Sequence, residues 1–278
     1  MKDVFEMSLN RDYTVCLAND FVKGRLCLPL IEQKLFFTAV SQVVKADKDF
    51  KTFSCTVPEL AEFLQVDSSY LYHNLKSICI SLRGRVNVIQ VKNDNNKDAW
   101  KVFGLIDRAE YSDGIFTICL SDDIKPFLID LDRYYTQCLL GTILSFSSKY
   151  TNQLYLRLKC ESGYSRKYVF RFTVAELREL FQIPDKKYQR DYNLLQKTIK
   201  PALEELSNSD YGFVWDYEEV RSKKRGKPLE YITFKAVLFN SKAIKDEFID
   251  DFPGWREVYD GTTDNPYNAI DHYEIYLK

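Results

Sequence analysis

Five cations crowd seven positions at 221–227, RSKKRGK: Arg221, Lys223, Lys224, Arg225 and Lys227, with no acid among them. Upstream, Lys186, Arg190, Asn193, Lys197 and Lys200 recur at spacings of 4, 3, 4 and 3, with Lys187, Gln189 and Gln196 beside them. On a helix that spacing gathers side chains on one face. The chemistry of such a set is recognition, not bond-making. Arginine pairs with guanine O6 and N7, asparagine with adenine, and lysine with guanine or a phosphate. The 221–227 cluster suits phosphates, which attract cations whatever the base sequence. A weaker set lies at Ser69, Tyr72, His73 and Lys76, and Arg83 and Arg85 flank Gly84 as two further phosphate candidates.

Catalysis has no comparable footing. The two histidines, His73 and His272, stand 199 positions apart, so the His-hydrophobe-His metal cluster of a nicking enzyme is missing despite 19 tyrosines. GxxxxGK[ST], GxSxG and HExxH are absent as well. Seven cysteines, at 16, 27, 55, 79, 119, 138 and 160, form no CxxC or Cys/His cluster, and most sit in apolar runs such as ICI (78–80). They read as small buried hydrophobes in a reducing cytoplasm, not as zinc ligands. No enzyme, metal or cofactor is expected. No window approaches 18 uncharged apolar residues and nothing resembles a secretory signal, so a cytoplasmic protein without a membrane partner is expected.

The net charge of −1 hides a strong segregation. Residues 1–146 carry 17 Lys and Arg against 19 Asp and Glu, residues 147–245 carry 20 against 12, and residues 246–278 carry 2 against 9. A basic block of net +8 and an acidic tail of net −7 cancel. Clustered positive charge is the footprint of a nucleic-acid binder. The tail is aromatic, with Phe248, Phe252, Trp255, Tyr259, Tyr267, Tyr273 and Tyr276, and suits packing against the second domain or a host partner.

The elements that position these residues are announced by a repeat. TVPELAEFLQV (56–66) and TVAELRELFQI (173–183) stand 117 positions apart. Each follows a strand-like run, TFSCTV (52–57) or KYVFRFTV (167–174), and each opens with a capping box, Thr56/Glu59 or Thr173/Glu176. A second helix comes next, with apolar residues at 71, 75, 78 and 82 in the first copy and at 195, 199, 202 and 206 in the second. The offset there has grown to 124, so the second copy gains seven residues near 183–193, about two helical turns, and its helix is expected from about 187 to 206. A helix precedes each phrase, at 28–44 and 148–160, and a hairpin ends each copy. In the first copy VNVIQV (86–91) and WKVFGLI (100–106) flank KNDNNKD, with IFTICL (115–120) as a third strand; in the second, 213–220 and 229–239 flank RSKKRGKP. Helix, strand, helix, helix, strand, strand is the winged-helix order. An α+β chain of two tandem winged-helix domains, related by duplication, is therefore expected: 1–143, then 144–245, then the tail 246–278.

Three stretches carry a resemblance to a known family: LPLIEQKLFFTAVSQV (28–43), LSFSSKYTNQLYLRLK (144–159) and KKYQRDYNLLQKTIKPALEEL (186–206). Together, in this order, they resemble plasmid replication initiators of the tandem winged-helix, iteron-binding type (RepE/RepB-like). The resemblance spans about residues 10–240 and leaves the acidic tail outside. It implies binding of double-stranded DNA at repeated origin sites, dimers in equilibrium with monomers that repress their own promoter, and recruitment of host replication proteins such as a helicase. It also implies a bacterial, plasmid-encoded protein and a division of labour. The first domain is an auxiliary DNA contact and dimer surface, and the second reads the DNA. The chain departs from the family at Asn193-Leu194-Leu195, where recognition helices often carry consecutive Arg or Lys. A winged-helix transcription regulator without a replication role shares all the residue chemistry above.

Overall fold

A computed structural model describes residues 4–24, 28–44, 46–92, 97–165 and 168–258. The chain divides into two compact units, 1–163 with 177–184, and 164–176 with 185–278.

Within the first unit, strands β1 (Val4–Glu6), β3 (Thr52–Thr56), β6 (Ile106–Ser112) and β7 (Ile115–Leu120) form one sheet in the order β1-β3-β7-β6. Helix α2 (Leu30–Val40) is buried at every residue from Glu32 to Val40, so it is a central helix. Inside, Glu32 accepts from Arg85 Nε at 3.1 Å and Gln33 Nε2 donates to the Leu28 carbonyl at 3.0 Å, while Gln33 Oε1 is buried without a hydrogen-bond partner. Helix α3 (Val57–Leu64) packs against α4 (Ser68–Arg83), which buries Leu71, Leu75, Ile78 and Leu82 as expected.

The hairpin of 86–91 and 100–106 exists, as β4 (Val86–Lys92) and β5 (Asp98–Gly104), but it is not the wing. It forms a two-stranded sheet of its own, whereas the hairpin that returns to pair with β3 is β6–β7. The turn that makes this wing is Asp113-Gly114, with φ of 50° and 84°, the double left-handed geometry of a tight hairpin. Of the KNDNNKD turn, residues 93–96 lie outside the described residues. Strands β2 (Thr14–Ala18) and β8 (Tyr135–Leu139) pair separately, linked through short helices α1 (Asn19–Lys23) and α5 (Leu140–Ser145) to the rest. Helix α6 (Lys149–Ser165), expected to open the second domain, lies mostly in the first unit.

The second unit repeats the plan. Strand β9 (Val169–Thr173) pairs with β11 (Leu229–Leu238), and β11 with β10 (Gly212–Arg221), in the order β10-β11-β9. Helix α7 (Val174–Leu180) follows β9, although its residues from Leu177 onward count with the first unit, and the second helix runs through α8 (Asp191–Leu194), a π turn (Leu195–Ile199) and α9 (Lys200–Asn208). Helix α10 (Lys242–Val258) crosses the expected end of the domain at 245. Its Phe248, 1% exposed, packs with Tyr168, Val237 and Phe239, so this first aromatic of the tail belongs to the second core. Lys245 Nζ donates to the Ser207 and Ser209 carbonyls, satisfying the C-terminal end of α9. Residues 259–278 lie outside the described residues.

The repeated phrase does the same work twice. Thr56 accepts from the Glu59 amide and Glu59 from the Thr56 amide; Thr173 and Glu176 do likewise. The shared glutamine ends each helix in the left-handed region, Gln65 at φ 56° and Gln182 at φ 45°. The next amides, Val66 and Ile183, reach back to the Ala61 and Arg178 carbonyls, the backbone closure of a left-handed helix stop.

Candidate nucleic-acid interface

The second helix of the second unit's winged-helix pattern starts at Asp191, with Arg190 as its N-cap residue. Lys186, Lys187, Gln189 and Arg190 therefore lie in the turn before it, all exposed, and not on its face. The seven extra residues of the second copy build this turn, with Tyr188 at φ 50°, and the helix starts at Asp191 and not near 187 as expected. Lys187 Nζ sits 4.9 Å from the Tyr188 ring centroid.

Inside the helix the register also differs from a continuous α-helix. Pro201 has no amide hydrogen, so the Lys197 carbonyl loses its α-helical donor. The chain widens instead: the Lys200 amide donates to the Leu195 carbonyl, five residues back, and the Thr198 hydroxyl donates to the Leu194 carbonyl at 2.5 Å. A π turn absorbs one extra residue, so the helix beyond it is rotated by about 100° relative to a regular one. Asn193 and Lys197 stay on the exposed face and Pro201 and Glu204 continue it. Lys200 swings off that face. Its Nζ meets Glu219 Oε1 of β10 at 2.9 Å and lies 5.5 Å from the Tyr217 ring. Gln196 is half-buried. Leu194, Leu195, Thr198, Ile199, Ala202, Leu203 and Leu206 form the buried side, which contains the four expected positions.

The wing closes beside the start of this helix. The Ser222 amide donates to the Pro228 carbonyl at 2.9 Å across the turn, and Gly226 and Lys227 are left-handed at φ 84° and 43°. Lys223, Lys224, Arg225 and Lys227 are all exposed at the tip. Arg221 behaves differently: it pairs with Glu219 at 2.9 Å and with Asp191 at 3.5 Å, and Asp191 also accepts the Leu229 amide at 2.7 Å. These contacts hold the base of the cationic wing against the first turn of the helix, beside Arg190. Burial pushes the Glu219 carboxyl up, but bonds and charges from Lys200 and Arg221 outweigh it and hold it below the usual carboxylate range. Burial, then the Glu219 charge, pushes the Tyr217 phenol well above its ordinary value. Tyr192, 69% exposed beside Asn193, escapes sequence reading because its apolar ring argues for a core position.

In the first unit, Ser69, Tyr72, His73 and Lys76 are all exposed on α4. Tyr72, His73 and Lys76 line a cleft of about 730 Å³ between α4 and β6, with Ile80, Arg83 and Tyr111. Tyr72 meets Tyr111 edge-on at 5.8 Å. Of the two arginines flanking Gly84, Arg83 is exposed with its Nε donating to the Asp107 carbonyl at 2.7 Å, and Arg85 pairs with the buried Glu32 at 3.1 Å.

Residues 14–159 match the family model of the initiator replication protein WH1 domain, and residues 173–236 that of the initiator Rep protein WH2 domain. Among solved structures, the Pi initiator protein in complex with iteron DNA is similar at a TM-score of 0.62 and 19% identity, covering 82% of this chain and 98% of that one. The WH1 domain of MSBI1.176, a replication protein isolated from a multiple sclerosis patient, gives a TM-score of 0.29 at 18% identity, covering 36% of this chain and 79% of that one. No curated protein matches the sequence. Both units are winged-helix domains in tandem.

Proposed function

The chain belongs to the initiator replication protein family, and from that membership we propose that it binds double-stranded DNA sequence-specifically at repeated origin sites. The observation that carries this is the exposed helix face of Tyr192, Asn193 and Lys197 next to the cationic tip 223–227, in a fold similar to an initiator solved on iteron DNA. The second unit reads the site: Asn193 and Lys197 face base edges, Arg190 and the 186–189 turn approach the flanking backbone or a guanine, and Lys223, Lys224, Arg225 and Lys227 take phosphates. Ser69, Tyr72, His73 and Lys76 give the first unit an auxiliary contact. The chain acts by binding, without a covalent step. Many phosphate contacts, with loss of a homodimer interface, favour opening of an adjacent AT-rich duplex, to which host replication proteins are recruited. Dimers repress the chain's own promoter.

The test is fluorescence anisotropy on short duplexes tiling the DNA around the gene, at several salt concentrations. Tight binding to one repeated tile is expected. Arg190→Ala or Asn193→Ala should cost about 1–3 kcal/mol on that tile, and Lys224→Ala should weaken all tiles and lower the salt slope by roughly 1. Equal binding to every tile defeats sequence-specific reading. A preference for a single inverted repeat at a promoter indicates a regulator instead. On supercoiled DNA, permanganate reactivity appearing with the protein and without nicking supports opening, and nicking refutes it.

A further inference from the structure

Two of the cations that the sequence offers for DNA are spoken for. Lys200 comes from the recognition helix and Arg221 from the wing, and both end on Glu219, at 2.9 Å each. Arg221 also reaches Asp191, the first residue of the helix, and Asp191 holds the Leu229 amide on the opposite strand of the wing. The chain of contacts thus runs from the start of the helix through both wing strands and back to the helix beyond its π turn. The π turn is what places Lys200 there. On an unbroken α-helix, Lys200 would lie in line with Asn193, seven residues and nearly two full turns earlier. Glu219 is half-buried with 23% of its side chain exposed, and Tyr217 Oη donates to it at 3.4 Å, which leaves it a poor candidate for a merely solvated acid.

We propose that Glu219 is a positioning residue for DNA reading: with Asp191 it fixes the wing against the recognition helix by holding Lys200 and Arg221, and these two cations are ties, not DNA contacts. This rests on the second unit being the reading domain, as proposed above. A helix inserted in the major groove and a wing on the flanking phosphates engage one site together only at a set angle, so the tie contributes to specificity and little to the bulk charge term.

The experiment uses the full chain with Glu219→Gln and, as a second variant that breaks the same pair from the helix side, Lys200→Gln. Without DNA, hydrogen exchange over 221–229, including the Leu229 amide, should quicken about tenfold in either variant while 200–208 is unchanged. Unchanged exchange in the wing overturns the tie. With DNA, anisotropy is compared on the repeat duplex and on a scrambled duplex of equal length. The ratio of the two affinities should fall about tenfold, with affinity for the scrambled duplex and its salt slope at wild-type values. A Lys200→Gln chain whose salt slope drops by about 1, or an E219Q chain that binds both duplexes more tightly, makes these cations phosphate contacts and overturns the proposal. A wild-type chain that does not distinguish the duplexes defeats the proposed function. Variants that discriminate as well as a discriminating wild type defeat the positioning role alone.

Discussion

The Glu219 carboxylate faces Lys200 from the helix and Arg221 and Tyr217 from its own strand, with Asp191 reached through Arg221. Its folded-state affinity for protons is lowered, so the unfolded chain binds the proton more readily. Its contribution to stability is complete above the ordinary glutamate value of about 4.3 and is lost as pH falls through the lower folded value. Urea midpoints measured between pH 3 and pH 6 should therefore decline more gently in Glu219→Gln than in the wild type; parallel declines would contradict the ion-pair assignment. The cysteines make a second residue-scale case. Burial pushes the Cys55 and Cys138 thiols up to about 12 and Cys79 up to about 11, so thiolate is scarce near neutrality. In the native chain Cys55 and Cys138 should resist iodoacetamide at pH 8 and react only after unfolding, as read by mass spectrometry. Rapid native labelling at either would refute their burial.

Elements show where the sequence is legible and where it is not. The phrase TVxEL announces a capped helix because its signal is local: a hydroxyl and a carboxylate three residues apart satisfy two amides by themselves. Thr173→Ala should accordingly cost about 1 kcal/mol of stability, measured by urea denaturation. The wing of the first unit is hidden from sequence reading because 86–91 and 100–106 alternate like any hairpin, and which hairpin joins the sheet is decided by pairing with β3, a distant strand. The Asp113-Gly114 turn is the available clue. The helix from Asp191 to Asn208 is legible in its buried residues and illegible in its polar stripe. Apolar periodicity survives a π turn, but one absorbed residue moves Lys200 from the exposed face of Asn193 and Lys197 to Glu219. Pro201 is the signal, a residue that cannot continue an α-helical ladder. Helix α10 is concealed in an acidic stretch, and its hold on the second unit comes through Phe248. Phe248→Ala should destabilise that unit by about 3–5 kcal/mol, read as a lower urea midpoint. A midpoint within experimental error of wild type would make α10 an appendage.

At the scale of the whole molecule, the near-zero net charge is a sum of opposed blocks, +8 over 147–245 and −7 over 246–278. Helix α10, anchored by Phe248 and Lys245, begins the acidic block within the same unit that carries the cationic wing. If, as proposed, this unit reads DNA, the attached acid opposes its attraction for DNA through the summed field, and that opposition is screened by salt. Residues 259–278 hold Asp260, Asp264, Asp271 and Glu274 against Lys278. A chain ending at Val258 keeps α10 and loses these acids. It should bind a scrambled duplex about two- to tenfold more tightly at low salt, chiefly through a faster on-rate, and no more tightly near 1 M, where the Debye length is about 3 Å. A field acts on every duplex alike, so the repeat duplex should gain by the same factor and the preference for it should stay constant. Stopped-flow association on both duplexes across a salt series separates the cases. If the repeat duplex alone gains, the tail competes at the base-reading face itself; if neither gains, the acidic block does not reach the DNA-binding surface electrostatically and its charge serves another partner.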